Sequence, residues 1–286
     1  MMRLYGLFLI TRPLNLFFLI CIYWFLAQVS NLGFSFHNLA FFASIILTTA
    51  AGYAINDHFD IQSDVLNNKN RPISKYRLTL KNVVLFYSFL NFFAILLSYL
   101  SVDIYFAFIV LLVQLSLLLY ARYFKRIALI GNILVALLSS LSILLIVKII
   151  PEVNSEFQTF LLHFSIFIFV YTFTRELFKT IEDTQGDKAS NMKTISCLLG
   201  IKLSMYASGG ALIGFGIGML LFEYLFSIQY IYSSYVFALG NIMLLALGFW
   251  AIAKPNTKTA SRIAKFMKLM MAMFVFVLWL LYSLGS

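Results

Sequence analysis

Two acidic clusters carry the residue types and spacings in this chain that could do chemistry. The first, Asn56 to Asp64, has the pattern N-D-x-x-D-x-x-x-D, and the second, Asp183 to Asp187, has the pattern D-x-x-x-D. If each cluster is helical, Asn56, Asp60 and Asp64 share one face, and the two later aspartates also lie one turn apart. Carboxylates this close repel one another unless something positive lies among them. Mg²⁺ carrying a diphosphate is the species we expect there.

The elements that position these clusters are apolar segments. Of the 286 residues, 62% are hydrophobic and only 11% are charged, and the mean hydropathy is +0.92. A soluble domain could not bury that much apolar surface, so we predict an all-α, polytopic membrane protein forming a single domain over residues 1–286. The apolar stretch 1–12 is expected to lie along the membrane interface. Nine spans are predicted, at residues 14–30, 39–57, 82–100, 103–121, 127–149, 157–178, 203–222, 229–251 and 266–284.

The charge distribution predicts an orientation. The chain has 21 Lys and Arg residues, and all but Lys148 lie at the N-terminus, in the connections after even-numbered spans, or at the ends flanking them. Lys148 lies close to Glu152 and Glu156 on the other side. Positive residues favour the cytoplasmic side, so we predict a protein of the cell (inner) membrane with a cytoplasmic N-terminus and an external C-terminus. Both acidic clusters are then cytoplasmic, as a single active site assembled from two distant helices requires.

Basic residues near the acidic clusters suit a metal-bound polyanion, because the acids would hold the metal and the bases the remaining oxygens. Basic residues elsewhere on that side are explained as topology signals and contacts with anionic lipids. Nucleic-acid binding is not expected, because no soluble basic domain is present. The basic residues near the clusters are Lys69, Arg71, Lys75, Arg77, Lys125, Arg126, Arg175, Lys179, Lys188 and Lys193.

Other site types have no motif in this chain. There is no nucleophile elbow, Walker loop or dinucleotide fingerprint, and the cysteines Cys21 and Cys197 form no metal-binding pattern. The series Gly210, Gly214 and Gly218 in the seventh span is a small-xxx-small pattern. It predicts close packing of that span against another helix.

The two motifs resemble those of the UbiA superfamily of intramembrane prenyltransferases, and the likeness extends along the chain from the Arg12-Pro13-Leu14-Asn15 stretch. It is closest to the branch of geranylgeranylglycerol-phosphate geranylgeranyltransferases. That branch has an N-x-P-x-R-P-I stretch after the first motif, and residues 67–73 match it except that Lys69 replaces the proline. The stretch from Tyr120 to Asn132 is also similar.

Around the second motif the branch reads R-E-x-x-K-D-x-E-D-x-x-G-D. Residues 175–187 match it except that Thr180 replaces an aspartate. Further along, Asn191 and Ile195-Ser196 replace a glycine and a Leu-Pro pair. These departures leave the aspartates of the D-x-x-x-D motif intact and affect the expected acceptor rather than the diphosphate chemistry.

The resemblance implies a nine-helix bundle with a central cavity open to the cytoplasm, in which a prenyl group passes from an allylic prenyl diphosphate to a lipophilic acceptor. Membrane lipids surround it, and neither a nucleic acid nor a protein partner is implied. The expected cofactor is Mg²⁺, as two ions, held by Asn56, Asp60, Asp64, Asp183 and Asp187. The implied catalytic residues are Asp57, Asp60, Asp64, Asp183 and Asp187. The implied diphosphate-binding residues are Arg71, Lys125, Lys179 and Lys188.

The acceptor expected from this resemblance is the hydroxyl of a prenylglyceryl phosphate, whose phosphate would need further cations. The residues available for it are Arg77, Lys81, Lys188, Lys193 and Lys202. An aromatic acceptor, as in quinone biosynthesis, and a terpene cyclase of the same fold are the enzyme alternatives. A secondary transporter would use intramembrane carboxylates as ion sites. Interfacial ion pairs without any ligand are the structural alternative.

Overall fold

A computed structural model describes residues 2–33, 35–67, 71–76, 78–150, 155–226 and 231–285. Within these ranges the chain is helical and contains no strand, and one isolated bridge joins Ile127 and Lys193. The chain divides into two compact units, which we describe in turn. Unit 1 comprises Met1–Arg126, Ile146–Pro151 and Ala189–Asn191, and unit 2 comprises Ile127–Leu145, Glu152–Lys188 and Met192–Ser286.

Unit 1 contains seven helices whose starts are set by local sequence. Asp103 is an N-cap that accepts the amide N–H of Phe106 at 2.7 Å, and Thr79 and Asn82 form a reciprocal capping box. Pro13 and Pro72 each occupy the first helical turn, where their missing N–H costs nothing. The helices are α1 (Met2–Ile10), α2 (Pro13–Val29), α3 (Phe36–Phe59), α4 (Ile61–Leu66), α5 (Pro72–Lys75), α6 (Leu80–Ser101) and α7 (Ile104–Arg122).

Helix α3 is the central element of unit 1 and contacts α2, α6 and α7. Its buried face is rich in small residues, including Ala50, Ala51 and Ala54. A Cβ built at Gly52 would lie 3.0 Å from Leu117 of α7, so α7 can approach this closely only because that position is a glycine. Small residues permit close helix approach where no water drives apolar surfaces together. The packing fixes α3, whose C-terminal end carries the first acidic cluster.

The N-terminal helix α1 packs against the short helix α5. Gly6 is buried at this contact, and a Cβ built on it would lie 2.7 Å from Cβ of Tyr76. Other positions of α1 expose large apolar side chains, among them Met2, Leu4 and Phe8. This pattern fits the interfacial position predicted for residues 1–12. Helices α1 and α2 meet at a bend of 50°.

Unit 2 contains the remaining helices. Helix α9 is central and contacts α8, α11, α12 and α14. The core of unit 2 is aromatic. Phe167 stacks on Phe274 with ring centroids 4.7 Å apart, and Phe237 lies edge-on to both. The helices are α8 (Ile130–Leu144), α9 (Ser155–Glu182), α10 (Thr184–Ala189), α11 (Ile195–Leu199), α12 (Ile201–Phe226), α13 (Ile231–Ala253) and α14 (Thr257–Gly285).

The glycines that allow close packing of α12 are not the ones predicted. A Cβ built at Gly210, Gly214 or Gly218 meets no described protein atom within 4 Å, so the assignment of that series to a helix contact was wrong. The contact with α13 uses Gly209 instead, where a Cβ would lie 2.9 Å from the carbonyl oxygen of Gly248. The small-xxx-small spacing identified the right helix and the wrong face, because glycines occur on both faces of α12.

Each of the nine predicted spans overlaps a helix. Among the described residues, six helices are long and apolar enough to cross a membrane, and a seventh span is obtained if the bent pair α1 and α2 is counted as one. The protein is therefore an integral membrane protein with six or seven candidate spans, and the count of nine remains a prediction. Some charged residues named above lie outside the part of the chain that the structure describes. They are Lys69, Arg77 and Glu152, together with the side chain of Glu156.

Candidate active site

The first acidic cluster lies on nearly continuous helical backbone at the junction of α3 and α4. The amide N–H of Asp60 donates to the carbonyl of Asn56 at 3.0 Å, and that of Asp64 donates to the carbonyl of Asp60 at 2.8 Å. These are the i to i−4 bonds of an α-helix. The predicted one-turn spacing of Asn56, Asp60 and Asp64 is therefore confirmed.

Asp60 has both carboxylate oxygens engaged. Asn56 Nδ2 donates to Oδ2 at 2.7 Å, and Lys125 Nζ donates to Oδ1 at 2.6 Å. Lys125 lies in a short 3₁₀ turn, Phe124–Arg126, that follows α7, and its side chain is only 9% exposed. Burial lowers the pKa of the Lys125 ammonium, and the charge of Asp60 opposes that shift. The predicted diphosphate-binding lysine thus lies directly on a predicted metal-binding carboxylate.

Asp64 is paired with Arg71. The Nε of Arg71 donates to Oδ2 of Asp64 at 2.9 Å, and its Nη2 lies 3.4 Å from Oδ1, so the guanidinium faces the carboxylate with two nitrogens. Arg71 is the N-cap of α5 and precedes Pro72 in the extended conformation that a following proline favours. The Arg-Pro-Ile stretch that carried the family resemblance therefore presents its arginine to the first acidic cluster.

Asp57 has a partner that sequence reasoning missed. Its Oδ1 lies 2.5 Å from Nη2 of Arg12, a residue 45 positions earlier in the chain. Arg12 was noted only as part of the Arg-Pro-Leu-Asn stretch before the first span. An arginine at the edge of an apolar segment needs a carboxylate partner when it is buried, and that rule could have suggested the pairing.

The second acidic cluster begins where α9 ends. The amide N–H of Asp183 donates to the carbonyl of Lys179 at 2.9 Å, and that of Asp187 donates to the carbonyl of Asp183 at 3.0 Å. The helical hydrogen-bond pattern therefore continues from α9 towards α10, and the predicted one-turn spacing of the two aspartates is confirmed. Asp187 is buried and Asp183 is partly exposed.

The basic residues before this cluster are held by an acid that was not among the predicted site residues. Lys179 Nζ donates to both oxygens of Glu176, at 3.0 and 2.9 Å, and Arg175 Nη1 donates to Oε1 at 2.8 Å. The Arg-Glu-x-x-Lys segment of the motif thus forms a local cluster of two cations around one carboxylate. Lys188, the fourth predicted diphosphate-binding residue, is exposed on α10.

Thr180, the residue that departs from the resembled motif, is held by neutral hydrogen bonds. Its Oγ1 accepts from Asn132 Nδ2 at 3.2 Å and donates to the carbonyl of Glu176 at 2.9 Å. The carbonyl of Thr180 accepts from Ser196 Oγ at 3.1 Å. Ser196 is another departure, standing where the branch has a proline. The two departures therefore lie in one hydrogen-bonded group, together with Asn132 of the Tyr120 to Asn132 stretch.

Glu182, the residue before Asp183, has a partner on α14. Its Oε1 accepts a hydrogen bond from Ser261 Oγ at 2.8 Å. No motif or spacing in the sequence pointed to Ser261, because the contact joins positions 79 residues apart.

The basic residues expected to serve an acceptor phosphate have varied surroundings. Lys81, Lys193 and Lys202 have at most weak local contacts, and Lys202 Nζ lies 5.9 Å from the ring centroid of Tyr206. Arg77, as noted, lies outside the described residues.

The donor atoms of the first cluster fit Mg²⁺. They are hard oxygen atoms, and Oδ1 of Asn56 is buried without a hydrogen-bond partner among the described residues. Considered separately, neither unit brings three His, Cys, Asp or Glu side chains into a metal-binding group within its described residues. The carboxylates of the first cluster are instead paired with Arg12, Lys125 and Arg71. Such pairs are also what the structural alternative predicts, so the pairs alone do not decide between ligand binding and simple ion pairing.

Comparison with known proteins decides the class. Residues 18–281 match the model of the UbiA prenyltransferase family. The digeranylgeranylglyceryl phosphate synthase of Sulfurisphaera tokodaii is 31% identical over 224 residues, which cover 78% of each chain. The chain therefore belongs to the UbiA prenyltransferase family and is an enzyme, so the transporter alternative is excluded.

Two solved structures have the same fold. One, from work on digeranylgeranylglyceryl phosphate synthase in membranes, gives a TM-score of 0.73 at 24% identity and covers 98% of both chains. The other, a UbiA homologue from Archaeoglobus fulgidus bound to DMAPP and Mg²⁺, gives a TM-score of 0.67 at 16% identity and covers 96% of this chain and 98% of that one. At these identities the likeness concerns the fold.

Proposed function

We propose that this enzyme transfers a prenyl group from an allylic prenyl diphosphate to the hydroxyl of a prenylglyceryl phosphate, in a Mg²⁺-dependent reaction that forms an ether lipid precursor. The observation that supports the proposal most directly is the first acidic cluster, in which Lys125 forms an ion pair with Asp60 and Arg71 forms one with Asp64. This arrangement offers oxygen ligands for a metal and cations for a polyanion within a few ångströms of each other. The relative from Sulfurisphaera tokodaii supports the acceptor, and the Archaeoglobus fulgidus homologue, bound to DMAPP and Mg²⁺, supports the donor and metal.

The acidic and the basic side chains have different roles in this reaction. Asn56, Asp60, Asp64, Asp183 and Asp187 would hold Mg²⁺, which when bound supplies positive charge to the leaving diphosphate. The basic side chains would release their carboxylates and bind diphosphate oxygens, lowering the free energy of the departing anion. The residues proposed for this are Arg71, Lys125, Lys179 and Lys188.

The reaction exchanges one carbon–oxygen bond for another. The allylic carbon–oxygen bond to the diphosphate breaks, the acceptor oxygen bonds to that carbon, and the hydroxyl proton leaves to water or to the released diphosphate. Apolar surroundings would keep water from capturing the allylic carbon before the acceptor does. The prenyl tail needs an apolar environment and the diphosphate an aqueous rim, which suits an integral membrane enzyme.

The acceptor proposal is tested by offering two acceptors to the same membranes. Membranes containing the protein receive labelled geranylgeranyl diphosphate and Mg²⁺, with either geranylgeranylglyceryl phosphate or an aromatic acid. We expect an ether product from the glyceryl phosphate, and none after EDTA. Labelled product on the aromatic ring alone would overturn the choice of acceptor, and a cyclised hydrocarbon formed without acceptor would favour a cyclase.

We also propose that both acidic clusters face the cytoplasm and serve one diphosphate, which rests on the charge distribution along the sequence. Single cysteines would replace Val65 and Ala189, both exposed, in a protein whose native Cys21 and Cys197 are changed to serine. We expect an impermeant thiol reagent to label both from the cytoplasmic face, and a cysteine at the exposed Lys148 position from the other face. Labelling of positions 65 and 189 from opposite faces would refute the single site.

A further inference from the structure

The Arg12–Asp57 ion pair joins the first bend of the chain to the first acidic cluster. Asp57 is 1% exposed, and its Oδ1 lies 2.5 Å from Arg12 Nη2. A carboxylate that deeply buried is stable as an anion only with a close charged partner. Arg12 supplies that charge from the break between α1 and α2, whereas the partners of Asp60 and Asp64 come from the connections after α7 and α4.

The backbone at Arg12 is adapted to this contact. Its φ of 54° and ψ of 63° lie in the left-handed region, which costs free energy for a residue with a side chain. Pro13, at the first position of α2, disfavours the right-handed helical conformation for the residue before it. A strained conformation persists where the surroundings determine it, and here it turns the chain through the 50° bend at the position whose side chain reaches Asp57.

The guanidinium of Arg12 contacts α3 at two places one turn apart. Its Cζ lies 4.8 Å from the ring centroid of Tyr53, and its Nη2 contacts Asp57, four residues later. A planar guanidinium can stack its face on an aromatic ring while its edge donates to a carboxylate, whereas a compact ammonium group has no flat face to stack. Two contacts on successive turns add to the packing that orients α3, and so help to set the direction in which Asn56, Asp60 and Asp64 point.

We propose that Arg12 is a positioning residue for the first acidic cluster, and that Asp57 is its anchor rather than a ligand of the metal. In this assignment Asp57 leaves the predicted set of catalytic residues, while Asn56, Asp60 and Asp64 keep their metal-binding role. The inference rests on the proposed function for the identity of the metal. The positioning role of Arg12 is supported by its ion pair with Asp57 and by the bend between α1 and α2.

A double-mutant cycle separates an anchor from a ligand. Arg12→Gln and Asp57→Asn each leave one buried charge without its partner, so each should lower turnover by about tenfold or more. The double variant Arg12→Gln/Asp57→Asn replaces the ion pair with two uncharged amides, so neither charge is left without its partner. We expect it to regain about fivefold over either single variant, with the Mg²⁺ concentration for half-maximal turnover within about twofold of the unmodified protein.

A second readout does not depend on turnover. Mg²⁺ with inorganic diphosphate should raise the melting temperature of the purified protein, because both bind the folded state. The double variant should keep that rise, and Asp60→Asn should lose it. Arg12→Lys should stay well below the unmodified protein in turnover, since it keeps the charge and loses the contact with Tyr53.

Three outcomes would overturn the proposal: a double variant no more active than Asp57→Asn, a double variant that no longer responds to Mg²⁺ and diphosphate, or single variants as active as the unmodified protein. If the single variants do not fold, the double variant alone still decides. A folded double variant that retains its metal response supports an anchor, and one that has lost it identifies Asp57 as a ligand. Failure of the proposed function itself would show differently, as an unmodified protein without any Mg²⁺ response.

Discussion

The two acidic clusters are stabilised by different interactions. In the first, each carboxylate forms an ion pair with a cation from another part of unit 1. Asp60 pairs with Lys125, and Asp64 pairs with Arg71. Around the second, the cations Arg175 and Lys179 are held by Glu176 on the same helix. The end of α9 is connected to other helices of unit 2 by hydrogen bonds from the uncharged side chains of Asn132, Ser196 and Ser261. The first cluster therefore depends on charge balance between distant segments, and the residues flanking the second are joined by short-range ion pairs and by hydrogen bonds from uncharged side chains.

This difference predicts which substitutions disturb the fold as well as the reaction. Removing one member of a buried ion pair leaves the other charge without compensation, which is costly. Removing one member of a neutral hydrogen bond costs about 1 kcal/mol. Removing a carboxylate of the first cluster should therefore lower stability more than removing one hydrogen bond beside the second.

The largest effect is expected from Asp60→Asn and Asp183→Asn. Each removes a proposed metal-binding charge without changing volume, and turnover should fall on the order of 100-fold in both. Asp60→Asn also leaves Lys125 buried without its carboxylate, so its melting temperature should fall by several degrees. Turnover would be measured in membranes with and without EDTA, and melting in detergent.

Asp103→Asn is the matched control for these variants. Asp103 is the N-cap of α7, and asparagine caps a helix about as well, so turnover and melting should stay near those of the unmodified protein. Activity that survives Asp60→Asn, Asp183→Asn and EDTA would refute diphosphate activation by Mg²⁺ at these clusters.

The next largest effect compares the lysines of the two clusters. Lys125 is 9% exposed and Lys179 is 31% exposed, and Glu176 keeps Arg175 when Lys179 is lost. Lys125→Met should therefore lower turnover by about tenfold or more, and Lys179→Met by about threefold. The comparison fails if the two variants lose turnover equally at saturating Mg²⁺ and donor. In that case both lysines would bind the diphosphate alike, whatever holds them in the free protein.

The sequence predicted the spacing within each cluster, because residues four apart on one helix must share a face. The family resemblance also implied that Lys125 and Arg71 lie near the first cluster, and both contact its carboxylates. The sequence did not predict the individual pairs, because which cation meets which carboxylate depends on how α2, α3 and α7 pack. Arg12 was missed for that reason, and Ser261 because its bond to Glu182 depends on how α9 and α14 pack. Glu176 was missed although it lies three residues before Lys179, a spacing that favours an ion pair on one helix.

The fold was predicted at the level of helices and their approximate limits, because long apolar runs permit little else in a membrane. It was harder to predict which face of each helix packs against a neighbouring helix. Glycines at 210, 214 and 218 satisfy a packing pattern, while Gly209 makes the contact, and spacing alone cannot distinguish the two faces of a helix that is apolar all round.

A smaller effect is expected where α1 holds the segment that carries Arg71. A Cβ at Gly6 would lie 2.7 Å from Cβ of Tyr76, next to the backbone and unable to swing away. Gly6→Ala should therefore displace α5 and lower turnover by about threefold to fivefold, with a fall of a few degrees in melting temperature. Gly210→Ala is the matched control, since a Cβ there meets no described atom and alanine favours a helix. Equal behaviour of the two variants would mean that α1 does not hold Arg71 in place.

The smallest effect is expected from a hydrogen bond donated by an uncharged side chain beside the second cluster. Ser261 Oγ donates to Glu182 Oε1 at 2.8 Å, and Glu182 precedes Asp183 directly, so the bond connects α14 to the start of the D-x-x-x-D motif. Ser261→Ala removes one hydrogen bond and should lower turnover by about twofold to fivefold, mainly through a weaker response to Mg²⁺. Ser140→Ala removes a bond of similar length, from Ser140 Oγ to the carbonyl of Ser165, at a site remote in sequence from both motifs. It should lower the melting temperature about as much and leave the Mg²⁺ response unchanged. If the two serine variants respond to Mg²⁺ identically, the contact with α14 stabilises unit 2 without positioning the second cluster.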